Sequence, residues 1–197
     1  MSSKEIILSK AIILFAEKGY SALSMRALAK EVNMSVAGIY HYFPDKNTLY
    51  LETVRFAFSG KALATSKILE SDLTVQEKLE NYVRLLLNMM SHDPIFHQLM
   101  QREIMEANTE RMQLLAQGVF KNHFDELLAF ARELAPHLDA YLVATSIIGL
   151  VKYYLDNQPI LPHLPGWDVK YQDVEVLAKH ITQLLLFGIF SPQGALV

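Results

Sequence analysis

The chain has 197 residues, 51% of them apolar and 20% charged, with a net charge of −3 and no cysteine. At about 100–200 residues per domain, this allows one domain, or a large one with a small one, and ample side chains for a buried core. It excludes a disulfide framework and a thiolate metal site, and it argues against disorder. The charge is uneven: residues 1–50 hold six lysines and arginines against four acids, a net +2, which leaves −5 for the rest. A basic head on an acidic body suits a DNA-binding unit followed by one that does not touch DNA.

Nearly every segment has a helical period. From Lys4 to Lys18, Ile7, Ala11, Leu14 and Phe15 share one face, and Gly19 closes the helix in a position that favours left-handed backbone. Ser24 caps a second short helix with Met25, Leu28 and Val32 on its apolar side. Asn33, which tolerates left-handed geometry, leads to Ser35, the cap of a third helix that ends near Tyr42. Pro44 stops it, and Asp45 caps a fourth helix from Lys46. Residues 1–45 are therefore expected to form three short helices, the last two joined as a helix-turn-helix.

Longer helices are expected over Lys46–Leu69, Val75–Ser91, Ile95–Ala107, Glu110–Leu134, Leu138–Asn157 and Val169–Phe190, with a proline-rich loop from Asn157 to Trp167. No strand-period segment and no repeat is found. The apolar stretches near Ile147 and Leu184 are shorter than the roughly 18 residues a membrane span needs, and Lys10 interrupts the only apolar run near the start. The expected class is all-α, in the cytoplasm, with no membrane partner: a helix-turn-helix domain at 1–45 and a larger helical domain at 46–197.

The stretch SVAGIYHYFPDK, Ser35 to Lys46, carries the functional signal. Val36 and Ile39 can share a buried face, with Phe43 as an anchor, which leaves Ser35, Ala37, Gly38 and His41 pointing away. Ala37 and Gly38 allow close approach of a helix to the bases of a major groove. Tyr40 and Tyr42 can donate hydroxyls to phosphates, and His41 can reach a phosphate or a base edge. Lys46 adds a cation to a helix N-terminus. An ordinary hairpin corner could show the same apolar spacing, yet it would have little use for Gly38, which costs roughly 1 kcal/mol in a helix interior.

Residues Ile7 to Val54 resemble the TetR family of bacterial transcriptional regulators. The matching features are Ala11, Phe15, Gly19 and Tyr20 at the first helix, then Ser24, Leu28 and Ala29. The run Ser35, Tyr40, Phe43, Lys46 and Leu49 completes the pattern. The resemblance implies that Ser35 to Tyr42 is a recognition helix and that Tyr40, His41 and Tyr42 meet DNA, mainly its backbone. It also implies that Lys46 contacts phosphate and that Ser24 and Arg26 lie near the adjoining backbone. Two departures stand out: Asn33 replaces the usual turn glycine, and Val36, Ala37 and Gly38 replace polar residues early in the recognition helix. Specificity is then expected to lean on thymine methyls, His41, Arg26 and DNA shape.

A head of this kind needs a two-fold partner to read a palindromic operator. The last two long helices could be core of a single subunit, but the resemblance implies a four-helix contact and makes them the expected homodimer surface, through Ala144, Ile148, Val151, Ile181, Leu184 and Leu185. The middle helices are expected to hold a small, largely apolar or aromatic effector. Its candidate contacts are Tyr82, Met89, Phe96, Met100, Glu103, Met105, Tyr153 and Trp167, although methionines fill ordinary cores more often. For Glu103 and Glu106 two readings stand: one of them points into a cavity and favours a cation, or both are solvated, the reading preferred here. The resemblance further implies that ligand binding moves the fourth helix and releases a repressor from DNA.

No cofactor is expected. His92 and His97 are five residues apart and match no established zinc spacing. The chain lacks a phosphate loop, a nucleophile elbow and an H-E-x-x-H pattern, so it does not read as an enzyme. The rival reading is a helical interaction module that has lost DNA binding.

Overall fold

The computed structural model describes residues 2–188, apart from the side chain of Met90. Among the described residues there are ten α-helices and no strand: α1 (Ser3–Ala22), α2 (Met25–Glu31), α3 (Val36–Tyr42), α4 (Lys46–Leu69), α5 (Val75–His92), α6 (Pro94–Glu106), α7 (Thr109–Leu115), α8 (Lys121–Leu134), α9 (Ala140–Asp156) and α10 (Val174–Phe187). None of them is long and apolar enough to cross a membrane. The chain is all-α, with an N-terminal helix-turn-helix and a larger C-terminal helical part.

The helices gather into two compact units. One comprises Met1–Leu63 and Asp93–His123, the other Ala64–His92 and Phe124–Val197. In the first, the period of α1 buries Ile7, Ala11, Leu14 and Phe15 with Leu28, Ile39, Phe43, Leu49, Tyr50 and Leu99. In the second, Leu79, Tyr82, Val83 and Leu87 of α5 pack with Leu127, Ala144, Ile147, Val151, Ala178 and Ile181.

Three of the longer helices after Lys46 depart from their expected spans. The segment Glu110–Leu134 is not one helix: α7 and α8 are separated by a wide π turn at Ala116–Phe120. Such turns leave carbonyls to satisfy, and Arg55 donates to the Gly118 oxygen at 3.0 Å. The second departure is at α9, which begins at Ala140 because Asp139 accepts the Leu142 amide at 3.0 Å. Similarly, α10 begins at Val174 behind the Asp173 cap, after a 3₁₀ turn at Val169–Gln172. The expected end of this helix at Phe190 lies outside the described residues.

Candidate nucleic-acid interface

The helix-turn-helix is built by local capping. The Ser24 side chain accepts the Ala27 amide at 3.1 Å, and Ser35 accepts the Gly38 amide at 3.0 Å. Between them Asn33 takes a left-handed conformation, φ 54°. Its amide donates to Lys30 O at 3.2 Å, and the Met34 amide donates to Ala29 O at 2.9 Å. This pair of bonds is the Schellman closure that glycine usually makes, and asparagine pays little for it. Asp45 likewise caps α4 by accepting the Thr48 amide at 2.7 Å.

The short helix α3 is two-faced. Ile39 and Phe43 are fully buried, and Val36 is half-buried against the same core. Ser35, Ala37, Tyr40, His41 and Tyr42 are exposed; Tyr40 is 48% and Tyr42 37% accessible. The His41 and Tyr42 rings meet edge to face at 5.3 Å on this outer rim. Gly38 has a second reason to be small: an added Cβ would lie 3.2 Å from the Ser35 hydroxyl and 3.4 Å from the Met34 methyl. The cap itself therefore uses the glycine, whatever else it admits. Arg26 and Ser24 are exposed at the start of α2. Ser24 and Ser35 spend an oxygen lone pair on capping but keep a hydroxyl hydrogen to donate.

Lys46 is half-buried, with its ammonium 4.4 Å from the centre of the Tyr20 ring and 3.3 Å from Ser21 O. Burial lowers its pKa, and the nearby Arg111 charge lowers it further. The Tyr20 hydroxyl donates to Asn47 at 2.5 Å, and its ring packs at right angles to Tyr50, 5.2 Å away.

Behind this face lies a buried polar cluster that the sequence reading did not find. Glu103 is 2% exposed rather than solvated. It accepts the Tyr50 hydroxyl at 2.7 Å and the Arg111 Nε at 2.9 Å. Arg111 also reaches Glu106 at 2.6 Å and lies 4.2 Å from the Tyr20 ring centre. Burial works against the Arg111 charge, but the Glu103 bond and the two carboxylates outweigh it and move its pKa up. Burial also raises the pKa of Tyr50, and its hydrogen bond to Glu103 adds to the shift. From α6, Arg102 donates to the oxygens of Ala16 and Glu17 at 2.8 and 2.9 Å, which satisfies the end of α1 where Gly19 breaks it. Neither Arg102 nor Arg111 carried a local sequence signal, because their partners lie on other helices.

The expected effector contacts fall in both units. Phe96, Met100, Glu103 and Met105 belong to the first unit, whereas Tyr82, Met89, Tyr153 and Trp167 belong to the second. Met105 is 85% and Tyr153 61% exposed, on the outer faces of amphipathic helices, and Tyr82 is wholly in the core. Trp167 lines a small cavity of about 170 Å³ with Tyr154, Leu161 and Tyr171. An aromatic group that the sequence reading missed surrounds Phe96: Phe58 stacks on it at 6.1 Å and meets Phe120 edge on at 4.9 Å. The Lys61 ammonium sits 4.7 Å from the Phe96 ring.

The dimer candidates divide by burial. Ala144, Val151 and Ile181 are 0–3% exposed within this chain's own core, so their side chains are not free for a partner. Apolar content marked them, but burial of the helix's inner stripe took them. Ile148, Leu184 and Leu185 are half-buried. The outer stripe of α9 instead shows Leu142, Ser146, Gly149 and Tyr153, and that of α10 shows Val176 and Phe187. Leu185 lines an open groove of about 380 Å³ with Leu138, Leu142 and Leu186.

Comparison with known proteins agrees with this geometry. Residues 7–53 match the family model for bacterial regulatory proteins of the tetR family. Residues 75–189, more than half of the chain, match the C-terminal domain of the HTH-type transcriptional dual regulator CecR. The probable HTH-type transcriptional regulator YttP of Bacillus subtilis is 28% identical over 129 residues, 63% of this chain and 61% of that protein. The biofilm operon icaADBC negative transcriptional regulator IcaR of Staphylococcus aureus is 38% identical over 55 residues, 28% of this chain and 30% of that protein. The matched stretches thus span less than two thirds of either relative. Among solved structures, Bacillus subtilis FadR in complex with stearoyl-CoA superposes with a TM-score of 0.77 at 19% identity, covering 94% of this chain and 98% of that one. The chain belongs to the TetR family of bacterial transcriptional regulators.

Proposed function

We propose that this regulator is a cytoplasmic, homodimeric repressor that leaves a palindromic operator when a largely apolar effector binds its C-terminal domain. The observation that carries the DNA half is the division of α3. Ile39 and the following Phe43 are sealed in the core, while Ala37, Tyr40, His41 and Tyr42 are exposed, as are Ser24 and Arg26, and Lys46 is half-buried. In this reading residues 1–45 are the DNA-binding head and 46–197 the effector and dimer domain, and movement of α4 connects them. Base contacts come from Val36, Ala37 and Gly38 against thymine methyls and from His41 and Arg26. The negative regulator IcaR supports the repressor role by similarity.

The second subunit covers the outer stripes of α9 and α10, through Leu142, Ser146, Gly149 and Phe187, with the half-buried Ile148, Leu184 and Leu185 at its margin. Small residues at this spacing let two helices approach closely, and the contact is isologous. For the effector, the half-buried Phe58, Phe96 and Phe120 favour an apolar or aromatic group. The stearoyl-CoA in the FadR complex makes acyl-CoA thioesters the first class to test.

The test is selection of duplexes from fragmented genomic DNA, followed by affinity measurements with and without stearoyl-CoA and shorter acyl-CoA thioesters. A palindromic duplex released by one of them supports the whole reading. Binding that no acyl-CoA alters removes this effector class. If Ala37→Ser and His41→Ala both leave the operator preference unchanged, base readout by α3 is wrong.

A further inference from the structure

We infer that Arg111 is a positioning residue for DNA contact, acting on the Lys46 ammonium through the Tyr20 ring. The inference rests on the proposed DNA-binding reading, in which Lys46 meets phosphate. Its basis is the way four helices meet in the first unit. Ala107 ends α6 in a left-handed conformation, φ 47°, and Asn108 caps α7 by accepting the Arg111 amide at 2.9 Å. That tight joint turns the Arg111 side chain back onto Glu103 and Glu106, which hold its guanidinium at 2.9 and 2.6 Å. The held guanidinium then lies 4.2 Å from the Tyr20 ring centre, while Lys46 lies 4.4 Å from the same centre.

Tyr20 is thus a shared platform for two cations. One is fixed by carboxylates on α6. The other stands at the start of α4, tied to Ser21 O at 3.3 Å. An ammonium has three donors, so the tie to Ser21 leaves it able to donate to a phosphate. Lysine has a long, mobile stem, and holding its head in place removes part of the entropy cost of making that contact. A cation placed on an aromatic face is held by the ring quadrupole. If Arg111 lets go, Tyr20 keeps its bond to Asn47 and its packing on Tyr50 but loses the contact on its cation-bearing side, and Lys46 is held less firmly. The setting of the α6–α7 joint therefore reaches a phosphate contact without passing through the bases.

The test is a double-mutant cycle on DNA affinity, read against salt, with full-length protein and a duplex recovered by selection. Lys46→Met is expected to lower the slope of log affinity against log salt by about 1.8, the loss of one phosphate contact in each subunit of the dimer. Arg111→Met is expected to weaken binding about fivefold, the low end of coupling between linked sites, and to lower the slope in the same direction. In the Lys46→Met background, Arg111→Met should change neither affinity nor slope. Equal effects of Arg111→Met in both backgrounds would overturn the inference, as would a loss of urea stability with an unaltered slope. Should Arg111→Met fail to fold, Arg111→Lys and Glu106→Gln take its place with the same expected pattern. If folded wild-type protein binds no duplex at low salt, the DNA-binding reading itself fails, and the relay with it.

Discussion

The two units hold themselves together by different means. The first surrounds an ion pair: Glu103 and Arg111 are both buried, with Tyr20 and Tyr50 packed on them. The second has an aliphatic and aromatic core, and its ion pairs, such as Arg84 with Glu175 and Lys78 with Glu133, lie at its rim. An apolar core tolerates repacking at modest cost, whereas a buried ion pair works in one geometry and penalises the loss of either partner. The first unit also carries the helices proposed to meet DNA, packed around this directional core.

Breaking the pair should give the largest effect. Glu103→Leu leaves the Arg111 charge buried beside one remaining carboxylate and is expected to cost about 3–5 kcal/mol in urea unfolding. Adding Arg111→Met should restore much of that loss, because the uncompensated charge is then gone. In the second unit, Ile147→Val removes one methyl from a fully buried site and should cost about 0.5–1.5 kcal/mol. A loss as large as that of Glu103→Leu would erase the contrast between the units.

The two units should agree at alkaline pH. Tyr50 and Tyr82 both have pKa values raised chiefly by burial, so both favour the neutral phenol in the folded state. Their contribution is fully present below the ordinary tyrosine pKa of about 10 and is lost as pH rises toward the folded-state values. Tyr50→Phe and Tyr82→Phe should each flatten the fall in stability above that pH, measured by denaturant titration. The smallest effect is expected at Thr182, whose buried hydroxyl has no hydrogen-bond partner among the described residues. Thr182→Val should leave stability unchanged within about 0.5 kcal/mol or raise it slightly.

What the sequence revealed was local. Ser24, Ser35, Asp45 and Asn33 cap and turn the backbone within a few residues, so their roles follow from spacing. Phe43 and Ile39 were legible for the same reason, as the inner stripe of a short helix. Glu103 was not: its partners are Arg111, across a tight joint, and Tyr50, on another helix. A carboxylate near methionines gives no hint of that burial. Ala144, Val151 and Ile181 are buried in this chain's own core, and the sequence did not mark this because small and apolar residues suit an inner core and a subunit contact equally. The break at Ala116–Phe120 had only Gly118 to announce it, and helices often absorb a glycine.

The most direct test of the account is the affinity of the full chain for a selected palindromic duplex, measured from low to moderate salt beside Ala37→Glu. The account predicts a linear fall of log affinity with log salt for the wild type, as phosphate contacts release counterions. It also predicts a loss of more than about tenfold for Ala37→Glu, whose carboxylate would face the bases and phosphates. Equal binding by the two proteins, or no duplex bound by the folded wild type at low salt, would contradict it.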